Sequence, residues 1–404
     1  MWGRAILVIL MGLSTITTGQ QSISTSSTVR VQVTTASSPP AQSSTKAQQQ
    51  QSTQQNNNNN DQNLSVGRSI NIFSRYGYLS LSMRVVPRND SSNNPYWIFR
   101  EPTVDIFKNI DNLIVDRKST RNNKQRSKST QLFDGDFHME FCDNLRQLLQ
   151  AYFRDFQIER LQKPWRAFSG SWTTDLIARN LGINASFIAS DGLMAGSTST
   201  NTNGDHCYVL VRVSRFRQSF KLQQLPLNVE ISEKVQEEMD TIKVGDSATV
   251  EEFIRKFGSH YISAYVTGNS MYQVFVYSRK VYARIKERLK SQGIGQLSTT
   301  ELSNYFSPWY AEHMGQIKVA SGNQTMEQWA TTNLKIHYYI FTYASLLKLH
   351  GDTSLLKQLN NLLGNEALLQ LDLKTLTPAF KNPKTRQFYQ EVLDNYLKLW
   401  EVNM

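Results

Sequence analysis

Three stretches of the chain alternate apolar and polar side chains with the period of a strand, and others repeat at the three-four spacing of a helix. Between 69 and 86, Leu79, Leu81, Met83 and Val85 fall on one side and Tyr78, Ser80, Ser82 and Arg84 on the other, which predicts a half-buried strand. Positions 209–217 alternate in the same way, with Val209, Val211 and Val213 facing inward. Positions 251–257 read as a short amphipathic helix that Gly258 ends through a left-handed C-cap. His260, Ile262, Ala264 and Val266 then point to one side of a strand and Tyr261, Ser263, Tyr265 and Thr267 to the other. Gly268-Asn269 breaks this strand and 271–277 resumes it, so the pattern predicts one long strand with a built-in bend.

Helical spacing begins after Asp143, an N-cap candidate, where Leu145, Leu148, Leu149, Tyr152, Phe153 and Phe156 recur at three and four. Beyond 325 the pattern is helical almost throughout: 329–350 stopped by Gly351, 354–363 stopped by Gly364, and 385–400 with Phe388, Val392, Tyr396 and Leu399 on one stripe. Strands and helices in separate blocks argue an α+β fold.

The N-terminus changes the picture. Arg4, the apolar run 5–13 and Thr17-Thr18-Gly19 have the form of a secretory signal over 1–19, too short to span a bilayer. Positions 20–64 are Gln, Ser, Thr and Asn with almost no large apolar side chain, a disordered spacer by composition, since such a segment cannot offset its ordering entropy. The part at 48–60 is prion-like in composition. A globular domain is expected over 65–325, with a helical region over 326–404 packed on it. An exported chain with two cysteines, Cys142 and Cys207, most economically forms one disulfide, the alternative being two buried thiols. Four sequons make Asn63, Asn89, Asn184 and Asn323 N-glycosylation candidates.

The net charge is +11. Its densest run, Arg117, Lys118, Arg121, Lys124, Arg126 and Lys128, contains no acid and no apolar period, and reads as a loop. It could meet a polyanion outside the cell or an anionic membrane surface, be cut by a basic-specific protease, or merely carry solvated charge. Nucleic acid is disfavoured, because no basic-aromatic recognition motif is present.

Candidate chemistry is sparse. There is no nucleophile elbow, paired metal histidine or phosphate-cradling loop, so neither an enzyme nor a cofactor is expected. Ser259 and His260 are adjacent, and adjacent strand residues point apart, so His260 reads as structural. The acidic stretch 134–140 lacks EF-hand spacing and reads as a turn before the next helix rather than a calcium loop.

The box Phe257-Gly258-Ser259-His260-Tyr261, followed by Gly268-Asn269, resembles the signature of the membrane-attack-complex/perforin (MACPF) family: aromatic-Gly-Thr-His-aromatic, then a Gly-Gly hinge. Ser259 stands for Thr, and Asn269 for the second Gly. Asn is the next most tolerant residue at positive φ, so the bend is expected to survive while straightening becomes harder. The resemblance implies a bent four-stranded antiparallel sheet flanked by helical clusters, expected within 105–158 and 281–319. In perforating members these clusters become membrane-spanning hairpins. Read as a strand, 281–290 would place Glu287 on the lipid side with Val281, Ala283, Ile285 and Leu289, which is costly. Segments 67–86, 98–105 and 164–172 resemble, more narrowly, a signalling member of the family. That implies extracellular partners: matrix or eggshell components, and the secreted ligand or receptor of a receptor tyrosine kinase pathway. A perforin-like pore former is the alternative.

Overall fold

The two long strands at the centre of the molecule are apolar on both faces because helices cover them on both sides. The computed structural model describes positions 8–11, 64–74, 86–87, 97–98, 103–118, 135–188, 206–225, 229–292, 299–338, 340–350 and 352–403. Four antiparallel strands, β1 (Asp136–Cys142), β2 (His206–Leu222), β3 (His260–Ser278) and β4 (Ala367–Thr375), lie side by side in that order. The expected α+β fold with a four-stranded antiparallel sheet is borne out. Shorter strands extend it: Arg68–Ile70 beside the start of β3, Ile114–Lys118 beside the end of β2, and Phe156–Ile158 parallel to β4. Val8–Met11, from the apolar leader, pairs with the outer edge of β1.

Strand periodicity sorts the core into two. Phe137, Met139, Phe141, Val209, Val211, Val213, Met271, Phe275 and Tyr277 face one side. Tyr208, Leu210, Tyr272, Val274 and Val276 face the other. Against this second face pack α1 (Leu145–Tyr152), α2 (Pro164–Ser169) and α3 (Thr174–Leu181), and the same core takes in α4 (Glu233–Thr241) and α5 (Ser247–Phe257). The first face carries α6 (Arg279–Gln292), α7 (Thr299–Tyr305), α8 (Gln324–Asn333) and α9 (Thr353–Leu362). The last helix, α10 (Pro383–Asn403), returns to the second core through Tyr389, Leu393 and Leu397.

Several expectations need correction. The N-cap of α1 is Asn144, whose side chain accepts from the Gln147 amide, and Phe156 lies in a strand rather than on the helix. Stretch 134–140 is not a turn: Asp136 opens β1, and Asp134 lies outside the described residues. Nor is 326–404 a helical addition. It supplies β4, which pairs with β3 and carries Leu371 and Leu373 into the core. The helix expected over 329–350 ends at Asn333, and a hairpin of Lys335–Tyr338 with Phe341–Ala344 follows. The aromatic and β-branched run there satisfies period two as well as period 3.6, and cross-strand packing favours the former. Of the strand expected over 69–86, the described residues place only Arg68–Ile70 and Val86–Pro87 in strands, and 75–85 lie outside them.

Candidate functional site

The box at 257–261 is where distant parts of the chain are joined. α5 ends at Gly258, whose φ of 87° and ψ of 175° belong to a region open essentially to glycine alone. The positive φ is as expected, but ψ takes the residue out of the αL cap, because the chain turns straight into β3. A Cβ on Gly258 would stand 2.8 Å from the Ile70 backbone. That closeness reflects docking of the N-terminal segment. The Ser69 hydroxyl donates to the Phe257 carbonyl, the Ser259 amide to Ile70 at 3.0 Å, and the Gly67 amide to Ile262 at 2.8 Å. The Tyr389 hydroxyl of α10 donates to the Ser259 carbonyl at 3.3 Å. Tyr261 meets Phe107 edge to face.

His260 is wholly buried, with Nδ1 3.0 Å from the Ser259 hydroxyl and Nε2 3.3 Å from the Glu159 carbonyl. The expectation that Ser259 and His260 point apart is therefore overturned. Ser259 lies in the bend before the strand begins, so the alternation rule does not yet apply to it. Only a protonated Nε2 can donate to the Glu159 carbonyl, which leaves Nδ1 to accept from the serine. Burial lowers the pKa of His260 to about 4. The Glu159 carboxylate in turn accepts from the Thr375 amide at 2.6 Å and hydroxyl at 3.0 Å. Ser259 and His260 are both fully enclosed, and the pair works as a splice between β3, β4 and 159.

The bend follows eight residues on. β3 runs unbroken from His260 to Ser278, and its register against β2 shifts between Thr267 and Gly268. A second shift, against β4, falls between Val266 and Thr267. Neither Gly268 nor Asn269 is among the described residues with positive φ. Gly268 is required for another reason: a Cβ there would overlap the carbonyl oxygen of Arg215. Asn269 acts through its side chain rather than its backbone, contrary to expectation. It is wholly buried, its Nδ2 reaching Ser321 Oγ at 3.0 Å and Glu366 Oε2 at 3.4 Å. Its Oδ1 accepts from the amides of Ser270 at 3.0 Å and Ser321 at 3.2 Å.

Just past the bend, two neighbouring residues hold the helical clusters on opposite faces. The Tyr272 hydroxyl donates to the Asn180 carbonyl of α3 at 2.7 Å and lies 3.2 Å from the Tyr152 hydroxyl of α1. Gln273, on the other face, donates to the carbonyls of Gly315 at 2.8 Å and Ala344 at 3.0 Å and accepts from the Leu346 amide at 2.9 Å. These clamps, with Glu159, Ser69 and Tyr389, escaped sequence reasoning. A buried Gln inside an apolar alternation was the one signal available for Gln273.

Among the described residues, α1 to α3 lie between β1 and β2, and α6 to α9 between β3 and β4. Helices α6 and α7 fall in the second expected range, 281–319, while α8 and α9 lie beyond it, and of the first set only α1 falls in 105–158. β1 cuts through the first expected range. Stretch 281–290 is helical within α6, burying Tyr282, Ile285 and Leu289 and leaving Glu287 exposed. Lys286 of α6 pairs with Asp143 at 2.6 Å, tying the two clusters together. Among the described residues no group of His, Cys, Asp and Glu could hold a metal; His138 and Glu140 pack with Arg154 instead.

The expected disulfide is absent: Cys142 and Cys207 are buried free thiols. Cys142 pairs directly with Tyr208, and directly opposed residues share a face, so Cys207 projects from the other side of the sheet. Accordingly Cys142 joins one core and Cys207 the other. Burial pushes both thiols up, Cys207 to about 11. Asn184 is exposed and starts a 3-10 turn, while Asn323 is half-buried and caps α8. Asn63 and Asn89 lie outside the described residues. Arg117 and Lys118 end the Ile114–Lys118 strand, but their side chains, and all of Arg121, Lys124, Arg126 and Lys128, also lie outside them.

No protein-family model matches the chain, and no curated protein does. Among solved structures it is similar to GNIP1Aa from Chromobacterium piscinae, with a TM-score of 0.39 and 9% identity, covering 83% of this chain and 57% of that one. It is similar also to a putative cell invasion protein with a MAC/Perforin domain from Bacteroides thetaiotaomicron, with a TM-score of 0.37 and 8% identity, covering 82% and 59%. A third is Astrotactin-2, a vertebrate-specific, perforin-like membrane protein involved in neuronal development, with a TM-score of 0.26 and 13% identity, covering 46% and 67%. The chain thus spans less than two thirds of the length of the first two.

Proposed function

We propose that this chain is an exported protein of MACPF type that acts in extracellular signalling, without perforating membranes and without enzymatic chemistry of its own. The reading draws on the signature box and on segments 67–86, 98–105 and 164–172, which resemble the insect protein Torso-like. That resemblance implies local activation of the Torso receptor tyrosine kinase at the ends of the embryo, through its secreted ligand and with deposition in the eggshell. The observation that carries the non-perforating part is the Asn269 clamp. In place of a mobile hinge, the bend is fixed by a buried amide bonded to Ser321 and Glu366. Opening the sheet would leave these groups without partners, at about 1–3 kcal/mol each.

The test is release of an encapsulated dye from liposomes by the purified secreted protein. No leakage is expected at concentrations that support signalling. Dose-dependent leakage with ring-shaped oligomers would overturn the reading in favour of a pore former. One observation favours that second reading: the segments of chain linking β1 to β2 and β3 to β4 both exceed the about 20 residues that a membrane-spanning hairpin needs.

A further inference from the structure

Among the described residues, three exposed large apolar side chains gather at one place. Ile340 is 89% exposed, Trp309 64% and Phe341 40%, and the rings of Trp309 and Phe341 meet edge to face at 5.6 Å. Tyr338 pairs with Phe341, so Ile340 sits in the two-residue connection of the 335–344 hairpin, where Gly, Asn or Asp is the usual choice. The hairpin is held firmly from below, Ser345 donating to Leu334 at 3.0 Å and Gln273 to Ala344 at 3.0 Å. A rigid base therefore presents an apolar tip.

We propose that this tip, Ile340 and Phe341 with Trp309, is an interfacial anchor that seats in an anionic lipid headgroup layer. The inference goes beyond the signalling role and does not require a pore. Three features favour lipid over a protein groove. Ile340 stands at the end of a hairpin almost wholly in solvent, a position suited to entering a soft interface. Its side chains are of the kind enriched where membrane meets water. The chain around it carries no acid: from 328 to 351 it has Lys335 and Lys348 but no Asp or Glu. Glu312, the acid nearest Trp309 in sequence, pairs with His206 at 3.0 Å. A chain with a net charge of +11 adds long-range attraction to the same surface.

Co-sedimentation of the full secreted chain with phosphatidylcholine vesicles, with and without phosphatidylserine, tests this. Binding is expected with phosphatidylserine, weakened about tenfold or more by Trp309→Ser, Ile340→Ser and Phe341→Ser combined. Lys335→Glu should weaken binding only to the anionic vesicles. Should the triple variant misfold, Ile340→Ser alone gives the same direction, since that side chain packs on little. Undiminished vesicle binding by the variants, or none by the wild type, overturns the proposal. So does loss in the variant of self-association seen without lipid, which would assign the tip to a second copy. Dye leakage is measured separately, so a failure of the signalling reading leaves this result standing.

Discussion

The backbone of Gly268 lies directly against the carbonyl of Arg215 on the neighbouring strand, leaving no room for a β-carbon. At this contact the registers of the sheet shift and β3 bends. Gly268→Ala therefore has to push two central strands apart. A loss of about 1–3 kcal/mol is expected, read as a lowered urea midpoint.

Asn269→Ala removes both halves of the clamp, leaving the Ser321 amide and the Glu366 carboxylate short of a partner. It should destabilise by about 1–3 kcal/mol. Amides of 267–271 should exchange with solvent faster than in the wild type, while those of β1 stay protected. Uniform exchange across the sheet would mean that the clamp does not act locally.

His260 is neutral when folded because burial lowers its pKa from 6.5 to about 4. The unfolded chain takes up a proton below pH 6.5 and the folded chain does not. Stability from this group is thus whole above pH 6.5 and declines as pH falls toward 4, by about 3 kcal/mol in all. Thermal melts from pH 7 to 4 should show this slope, and His260→Gln should flatten it.

Cys142 and Cys207 face opposite sides of the sheet and should remain thiols even in an exported chain. Native protein is expected to react slowly with a thiol reagent at pH 8, and two equivalents should react after unfolding. Its melting temperature should be the same with and without reductant.

A chain cut after 325 loses β4 and with it the partner of 260–268. Expression of 65–325 should give aggregated protein, whereas 65–404 should fold cooperatively. A soluble, cooperative 65–325 would show that the sheet is complete without its fourth strand.

Much of the fold was legible because strands β2 and β3 carry their period in plain view. Valines 209, 211 and 213 declare one face, and Gly258 and Gly268 mark two of the places where backbone meets backbone. β1 was missed although Phe137, Met139 and Phe141 keep period two, because the polar positions among them, Asp136, His138 and Glu140, carry residue types that also suit a turn. Inside the sheet His138 and Glu140 pack with Arg154. The hairpin at 335–344 was missed because an aromatic run fits two periods at once.

Local order along the chain, then, was enough to fix the α+β class, the position of the bent strand and the glycines it needs, since these depend on side-chain periodicity and backbone sterics. Which segments meet at the signature box, the use of Asn269 as a clamp, the separation of the thiols and the gathering of Trp309 with Ile340 were decided by tertiary structure alone. Each joins residues far apart in sequence, and no local pattern records which strand lies beside which or toward which face a side chain turns.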